Sequence, residues 1–394
     1  MPSSSEILQA MVFALPWIVA PILAVVRQRT TRSLDDYSEM PTEPVEQVSV
    51  ILPARNESAH IAACIASLRA TSWPRVQIIV VDDHSTDSTG ALARAAGNGD
   101  SRVTVADAPT LPDGWFGKQW ACFAGASIAT GSYLLFTDAD TRHAPDLIGR
   151  LVRAQKERNA SLISVAGTQT MNSFWEYAIQ PAVFALLLTR FGGTVEMENA
   201  KRSVDVIANG QCLMFTRAAY EFIGGHEAVR ATVAEDLMLA QTVHAHGLRV
   251  SLVLGANQLS THMYDGLAAI IKGWMKNVYA GGRLAMWGGQ FGRLIFPFAL
   301  IGGPLAMVAP FLGLVYVSIA KLSGHNPGTA MVVWSTLGSL FMLWFFAAIN
   351  KLARGARWRV LLVPLGMLVF AGICVAAVVR GQTVEWKGRT YRAA

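Results

Sequence analysis

Apolar residues follow two patterns along this chain, and the two occupy different stretches. Long apolar runs lie at 7–26 near the start and at 294–320, 330–349 and 360–379 near the end. A hydrocarbon core of about 30 Å takes about 20 apolar residues in a helix, so each run is a candidate span. Between them the runs are short and rich in β-branched residues, at 48–52, 76–81, 103–106, 133–137, 162–165, 212–215 and 250–254. These predict buried strands. Ile61, Cys64, Ile65 and Leu68 fall at helical spacing between the first two, and further helices are predicted at 118–130, 145–158 and 235–246. Strand, helix, strand in repetition predicts an α/β domain on a parallel sheet.

Two stretches fit neither pattern. Residues 174–190 are apolar but interrupted by Glu176, Gln180 and Pro181. Residues 264–287 mix Ile270, Ile271, Trp274 and Met275 with Lys272, Lys276 and Arg283. Both suit a membrane surface, as interfacial helices. The expected organisation is an N-terminal anchor at 1–28, an α/β domain at 45–262, an interfacial region at 263–290, a three-span bundle at 291–380 and a basic tail at 381–394. The first run lacks a positive n-region and a small-residue cleavage site, so it reads as an anchor rather than a signal peptide.

Composition supports the division. A hydrophobic fraction of 52% with only 15% charged residues is too apolar for an ordinary soluble chain of 394 residues. The net charge of +6 does not point to nucleic acid, because the basic residues flank the apolar runs: Arg27, Arg29 and Arg32, then Lys351, Arg354, Arg357 and Arg359. Anionic lipid headgroups explain them. The same residues place the α/β domain on the cytoplasmic side of the cell membrane. Four crossings would then carry the tail to the opposite side, against the charges of Arg380, Lys387, Arg389 and Arg392. The four cysteines are far apart, without zinc-ligand spacing, and read as reduced, buried thiols.

Ligands of doubly wound sheets bind beyond the carboxyl ends of the strands. Three predicted strands end in acids: Pro53-Ala54-Arg55-Asn56-Glu57, Asp82-Asp83-His84-Ser85-Thr86-Asp87 and Asp138-Ala139-Asp140. Asp87 and Ser88 have the bland alternative of capping a helix. The Asp138/Asp140 pair at a strand end suits a ribose contact and a hard divalent cation shared with phosphate oxygens. Such a cation neutralises a departing diphosphate.

With these pieces, the stretch from Val48 to Trp274 resembles the family 2 glycosyltransferases of GT-A fold. The segments carrying the resemblance are VSVILPARNES, VVDDHSTDSTG, PDGWFGKQWACFAGA, YLLFTDAD, FIGGHEAV and VAEDLMLA, in the family's order. It implies a Rossmann-like nucleotide-sugar domain beside transmembrane and interfacial helices. It also implies donor contacts at Pro53, Glu57, Asp83, Lys118 and Asp138, a Mg²⁺ or Mn²⁺ ion on Asp140, and Asp236 as catalytic base. A carboxylate within about 3 Å of an acceptor hydroxyl can take its proton. The alternative for Asp236, and equally for Glu235, is a charge favoured by a helix N-terminus. Glu235, His226, His262 and Trp274 are further candidate contacts to donor or acceptor.

The segments around GWFGKQWA and SFWEYAIQPA resemble members that glycosylate membrane lipids: ceramide, hopanoid-associated and carotenoid-acid transferases. The expected partners are a nucleotide-sugar donor, probed first as a uridine diphosphate sugar, a lipid acceptor and the membrane, with no nucleic acid. In place of the Gln-x-x-Arg-Trp of processive members stands Ile270-Ile271-Lys272-Gly273-Trp274, and His84 stands where a glycine is commoner. The expected reaction is inverting transfer of one sugar to a lipid hydroxyl or carboxyl. The rival readings are a processive polysaccharide synthase, which needs more spans and the missing arginine, and a non-catalytic membrane protein that binds nucleotide-sugars or lipids.

Overall fold

The computed structural model describes residues 4–27, 31–40, 45–352, 357–381, 383–386 and 388–392. Arg29, Arg354 and Lys387, named above for their charge, lie outside them. In chain order, α1 (Ser4–Arg27) is followed by β1 (Val48–Ala54), α2 (Ile61–Arg69), β2 (Val76–Asp82), α3 (Thr89–Gly97), β3 (Val103–Asp107), α4 (Gly117–Ile128), β4 (Tyr133–Thr137), β5 (Thr141–His143) and α5 (Leu147–Arg158). Then come β6 (Leu162–Gln169), α6 (Phe174–Phe191), α7 (Thr194–Glu198), β7 (Cys212–Thr216), α8 (Arg217–Phe222), α9 (Glu235–Ala245) and β8 (Val250–Thr261). The chain ends with α10 (Leu267–Leu284), α11 (Gly289–Leu322), α12 (Thr329–Leu352), α13 (Val363–Arg380) and a hairpin of β9 (Thr383–Trp386) and β10 (Arg389–Arg392).

Two compact units result. The first, an α/β unit, comprises Thr30–Thr170, Thr194–Met263 and Gln382–Ala394. Its eight-stranded sheet runs in the order β3-β2-β1-β4-β7-β6-β8-β5. Strands β1, β2, β3 and β4 are mutually parallel, with Val48 opposite Val76 on one side and Tyr133 on the other. Alternate residues of β1 point to opposite faces, as a strand period of two requires. Val50 and Leu52 pack with Ile61, Ile65 and Leu68 of α2 and Leu151 of α5, while Ile51 packs with Ala121 and Cys122 of α4 and Leu239 of α9. Burial on both faces explains the near-continuous apolar runs.

The wholly parallel sheet expected from the alternating rhythm is corrected to a mixed one. Strand β7 runs antiparallel to β4 and β6, and β5 runs antiparallel to β8. The reason lies in the connections. Between β6 and β7 the chain makes α6, which clusters with the other unit, and then the short α7; no amphipathic crossover helix returns it to the starting edge. Strand β5 follows β4 after a three-residue turn, too short for any parallel crossover.

The second unit is helical and comprises Met1–Arg29, Met171–Gly193 and Tyr264–Gly381. Four of its helices are long and apolar enough to cross a membrane: Ser4–Arg27, Gly289–Leu322, Thr329–Asn350 and Trp358–Arg380. Large apolar side chains stay exposed along them, including Phe13, Leu294, Phe298 and Leu322. An exposed apolar surface of this kind suits contact with lipid. Helix α6 opens with a capping box, Ser173 and Glu176 bonding each other's backbone N–H. It buries Ala178, Ile179 and Val183 with Ile270 and Trp274 of α10 and Phe370 and Ile373 of α13.

Helix contact in lipid depends on small residues that let backbones approach. A Cβ at Gly366 of α13 would lie 1.8 Å from the Ala178 carbonyl oxygen of α6. Overpacking a tight contact costs about 1–3 kcal/mol, so Gly366→Ala is expected to destabilise the detergent-solubilised protein by that amount. A melting temperature equal to the unsubstituted protein's would contradict this packing.

Candidate active site

The switch point of the α/β sheet is β1, which has β2 on one side and β4 on the other. Because these strands are parallel, their carboxyl ends open on one edge, where ligands of such sheets bind. All three acidic segments singled out from the sequence stand there. Pro53 is the penultimate residue of β1, opposite Val81. The loop after it is tied to the loop after β2: Asn56 N–H donates to Ser85 Oγ (3.0 Å), Thr86 N–H donates to Asn56 Oδ1 (2.8 Å) and Glu57 N–H donates to Thr89 Oγ1 (2.7 Å). Asp87, one residue before the α3 N-cap Ser88, accepts from Thr89 N–H at 3.0 Å, while the Ser88 side chain makes no capping bond.

Both loops turn through left-handed backbone, at Asn56 (φ 52°) and His84 (φ 53°). That conformation accounts for the commoner glycine at the latter position.

The Asp138-Ala139-Asp140 segment forms the turn from β4 to β5. It is held from behind by Thr141, whose hydroxyl donates to the Asp138 carbonyl at 2.6 Å, and by Thr137, which bonds His143 Nε2 at 2.8 Å. Burial keeps His143 neutral, its pKa pushed down to about 3. Asp140 is in a different electrostatic position. Burial, and then the charges of Asp138 and Glu57, raise its pKa to about 7. Its Oδ1 is buried with no hydrogen-bond partner among the described residues. A buried carboxylate oxygen beside other carboxylates is poised to accept a cation, since an unmet charge there is costly. Among the described residues no group of three or more His, Cys, Asp or Glu side chains could hold a metal, so other ligands would have to come from the donor or water.

Lys118, in the first turn of α4, joins the two ends of the site. Its Nζ lies 2.8 Å from Asp138 Oδ1 and 2.7 Å from Glu235 Oε1. Burial disfavours its charge, but the two carboxylates outweigh that and hold its pKa well above the usual lysine range. The pair after β4 and the pair at the start of α9 are therefore drawn to one ammonium, although nearly 100 residues separate them. The neighbouring Asp236 is partly buried. Its Oδ2 accepts from Gly210 N–H (2.9 Å) and its Oδ1 from Leu237 N–H (2.8 Å). Burial and the adjacent Glu235 charge push its pKa up to about 6, against the opposing pull of Lys118 and these two bonds. The close approach favours a glycine at 210, where a Cβ would lie 3.0 Å from Asp236 Oδ2.

The other candidates are placed differently. His226 is only 2% exposed, bonded through Nδ1 to the Tyr220 hydroxyl (2.9 Å) and packed on Phe136. It packs beneath the site as the structure stands. His262 directly follows β8 and is partly buried. Trp274 belongs to the helical unit, where its indole N–H donates to Gln180 Oε1 at 3.0 Å and its ring meets Phe370 edge-on.

Asp83 is 1% exposed, and its partner was not foreseen. Arg389 of β10 forks onto it, with Nη1 2.6 Å from Oδ2 and Nη2 3.3 Å from Oδ1. Thr383–Trp386 and Arg389–Arg392 thus form a hairpin in the α/β unit. The alternation of 383–392 about Lys387-Gly388 is the signal that could have revealed it.

This is an α/β domain of GT-A type by its strand order and the acids along its switch-point edge. The model of Glycosyl transferase family 2 matches residues 49–224, and that stretch is a family 2 glycosyltransferase domain. The chain is 26% identical over 351 residues to a 4,4'-diaponeurosporenoate glycosyltransferase of Staphylococcus aureus, covering 87% of this chain and 88% of that one. It is 30% identical over 244 residues to the protein of the same name from Staphylococcus haemolyticus, covering 61% of this chain and 63% of that one, just under two thirds of its length. In fold it resembles the mannosyltransferase of Pyrobaculum calidifontis, solved in complex with GDP-mannose and Mn²⁺. The TM-score is 0.57 and the identity 20%, over 94% of this chain and 97% of that one.

Left-handed backbone costs a non-glycine residue roughly 1–2 kcal/mol. Glycine forfeits about 0.5–1 kcal/mol through its freer unfolded chain. His84→Gly is therefore expected to stabilise the protein by up to about 1 kcal/mol; thermal denaturation checks this, and a clear loss of stability would contradict the strain at this turn.

Proposed function

We propose that this chain transfers a single sugar from a nucleotide-sugar to a membrane lipid, at the cytoplasmic face of the cell membrane, with inversion at the anomeric carbon. The observation carrying this reading is the bridge from Asp138 through Lys118 to Glu235, which sets the donor acids beside Asp236. Supporting it are the family 2 domain, the resemblance to glycosyltransferases named for a carotenoid acid, and four helices able to span a bilayer.

In this reading Glu57 and Asp83 contact the nucleoside, Asp138 the ribose or sugar, and Lys118 the diphosphate. Asp140 would hold Mg²⁺ or Mn²⁺, and the bound ion would offset the negative charge of the departing diphosphate. Asp236 accepts the proton of an acceptor hydroxyl as its oxygen attacks the anomeric carbon; the C–O bond to the diphosphate breaks on the opposite face. The hydrogen bonds from Gly210 and Leu237 fix that carboxylate in place before the acceptor arrives. Its raised pKa makes it a better base than an ordinary aspartate while leaving it ionised at neutral pH. An acceptor carboxylate, being already ionised, would need no such base.

The deciding experiment incubates purified protein with membrane lipid extract, a panel of radiolabelled nucleotide-sugars and Mg²⁺ or Mn²⁺. Label in a discrete lipid supports the proposal, whereas label in a long polymer supports a processive synthase. Asp236→Asn is expected to retain donor binding and lose transfer by about 10²-fold or more; normal turnover would overturn the base assignment. Asp140→Ala is expected to weaken metal-dependent donor binding itself, as measured by calorimetry. With Asp236 titrating at about 6, kcat/KM should fall as pH drops below that value, because the protonated carboxyl cannot accept the proton. A profile flat from pH 5 to 8 would contradict it.

A further inference from the structure

We infer that the C-terminal hairpin is a wall of the donor nucleoside site, and that Arg389 is a positioning residue which orients the Asp83 carboxylate toward the base. The inference rests on the reading of Asp83 as a nucleoside contact and adds to it a segment more than 300 residues away. A carboxylate as enclosed as Asp83 needs a counter-charge. Arg55 contributes from farther away: its Nη1 is 3.9 Å from Asp83 Oδ2 and donates to the carbonyls of Asp83 (2.5 Å) and His84 (3.1 Å). The bidentate partner is Arg389.

Two contacts independent of Asp83 hold the hairpin there. The Tyr391 ring lies 4.2 Å from that of Phe116, and its hydroxyl accepts from Gly117 N–H at 3.3 Å, one residue before Lys118. The fit has no slack, since a Cβ on Gly117 would fall 2.4 Å from both Arg389 Nη1 and Asp83 Oδ2. Anchored in this way, the hairpin stays in place when a base engages Asp83.

The chemistry of the pair selects a class of base. A guanidinium has five N–H donors, and two here are given to Asp83. A carboxylate acceptor with guanidinium donors beside it complements a ring N–H next to a carbonyl oxygen. Uracil and guanine carry that edge; adenine and cytosine do not.

The same contact constrains the membrane crossings. Met263 and Arg389 both belong to the α/β unit, so the chain between them begins and ends on one side of the bilayer and crosses it an even number of times. Of α11, α12 and α13, at most two can cross. This places the basic tail on the domain's side and removes the conflict between four crossings and its positive charge.

The test is nucleotide binding by the full-length protein in detergent with Mn²⁺, using UDP, GDP, ADP and CDP. The unsubstituted protein is expected to prefer UDP or GDP over ADP and CDP. Arg389→Ala should weaken the preferred nucleotide at least tenfold and raise the donor KM with kcat little changed, and Arg389→Lys should restore part of the affinity. Equal affinity in Arg389→Ala overturns the inference, and tighter binding does so by making the hairpin a competitor of the donor. If the unsubstituted protein binds none of the four, the nucleotide-sugar reading itself fails and the inference with it. For topology, a cysteine added after Ala394 and one at Ser101→Cys in the α/β unit are labelled in sealed vesicles with a membrane-impermeant maleimide. Labelling from the same side is expected; labelling from opposite sides overturns the hairpin contact.

Discussion

One ammonium group determines the geometry of this site. Lys118 lies within salt-bridge distance of Asp138 and Glu235, and so ties the end of β4, the start of α4 and the start of α9 into one charge network. Without it, carboxylates on opposite sides of the sheet order would repel one another in a partly buried setting where that repulsion is poorly screened. With it, the strand-end acids and the proposed base share one edge. The raised pKa values of Asp140 and Asp236 come first from burial and then from repulsion by neighbouring carboxylates, part of which Lys118 offsets.

The acidic edge of the sheet was legible because it follows from local pattern. Apolar runs at 48–52, 76–81 and 133–137 predict parallel strands, and parallel strands place Glu57, Asp83 and Asp138 on one edge. The positions of Lys118 and Asp236 came from the family resemblance instead. No periodicity shows that α4 and α9 would converge, or that Gly210 would supply an N–H to the base. The enclosure of the His226 ring by Phe136 and Tyr220 was not legible either, being a property of packing rather than spacing.

Long-range pairing set the other limits. The antiparallel strands β7 and β5 could not be told from parallel ones, because an apolar run carries no direction. The helices long and apolar enough to span were plain from length and composition, but the burial of α6 against α10 and α13 depends on small residues such as Gly366, whose importance appears only when its neighbour is known. The tail was read for its charge alone. Its alternation around Lys387-Gly388 marks a hairpin, but Asp83 as its partner lies some 300 residues away.

The central claim is that Lys118 unites donor binding and base in one catalytic centre. Its most direct test is the removal of that charge by Lys118→Gln, with nucleotide binding and the pH dependence of transfer measured on the same preparation. The account predicts that donor affinity falls at least tenfold and that the acid limb of the pH profile moves to higher pH, since Asp236 loses a cation that favours its ionised form. Unchanged affinity together with an unshifted profile would contradict it.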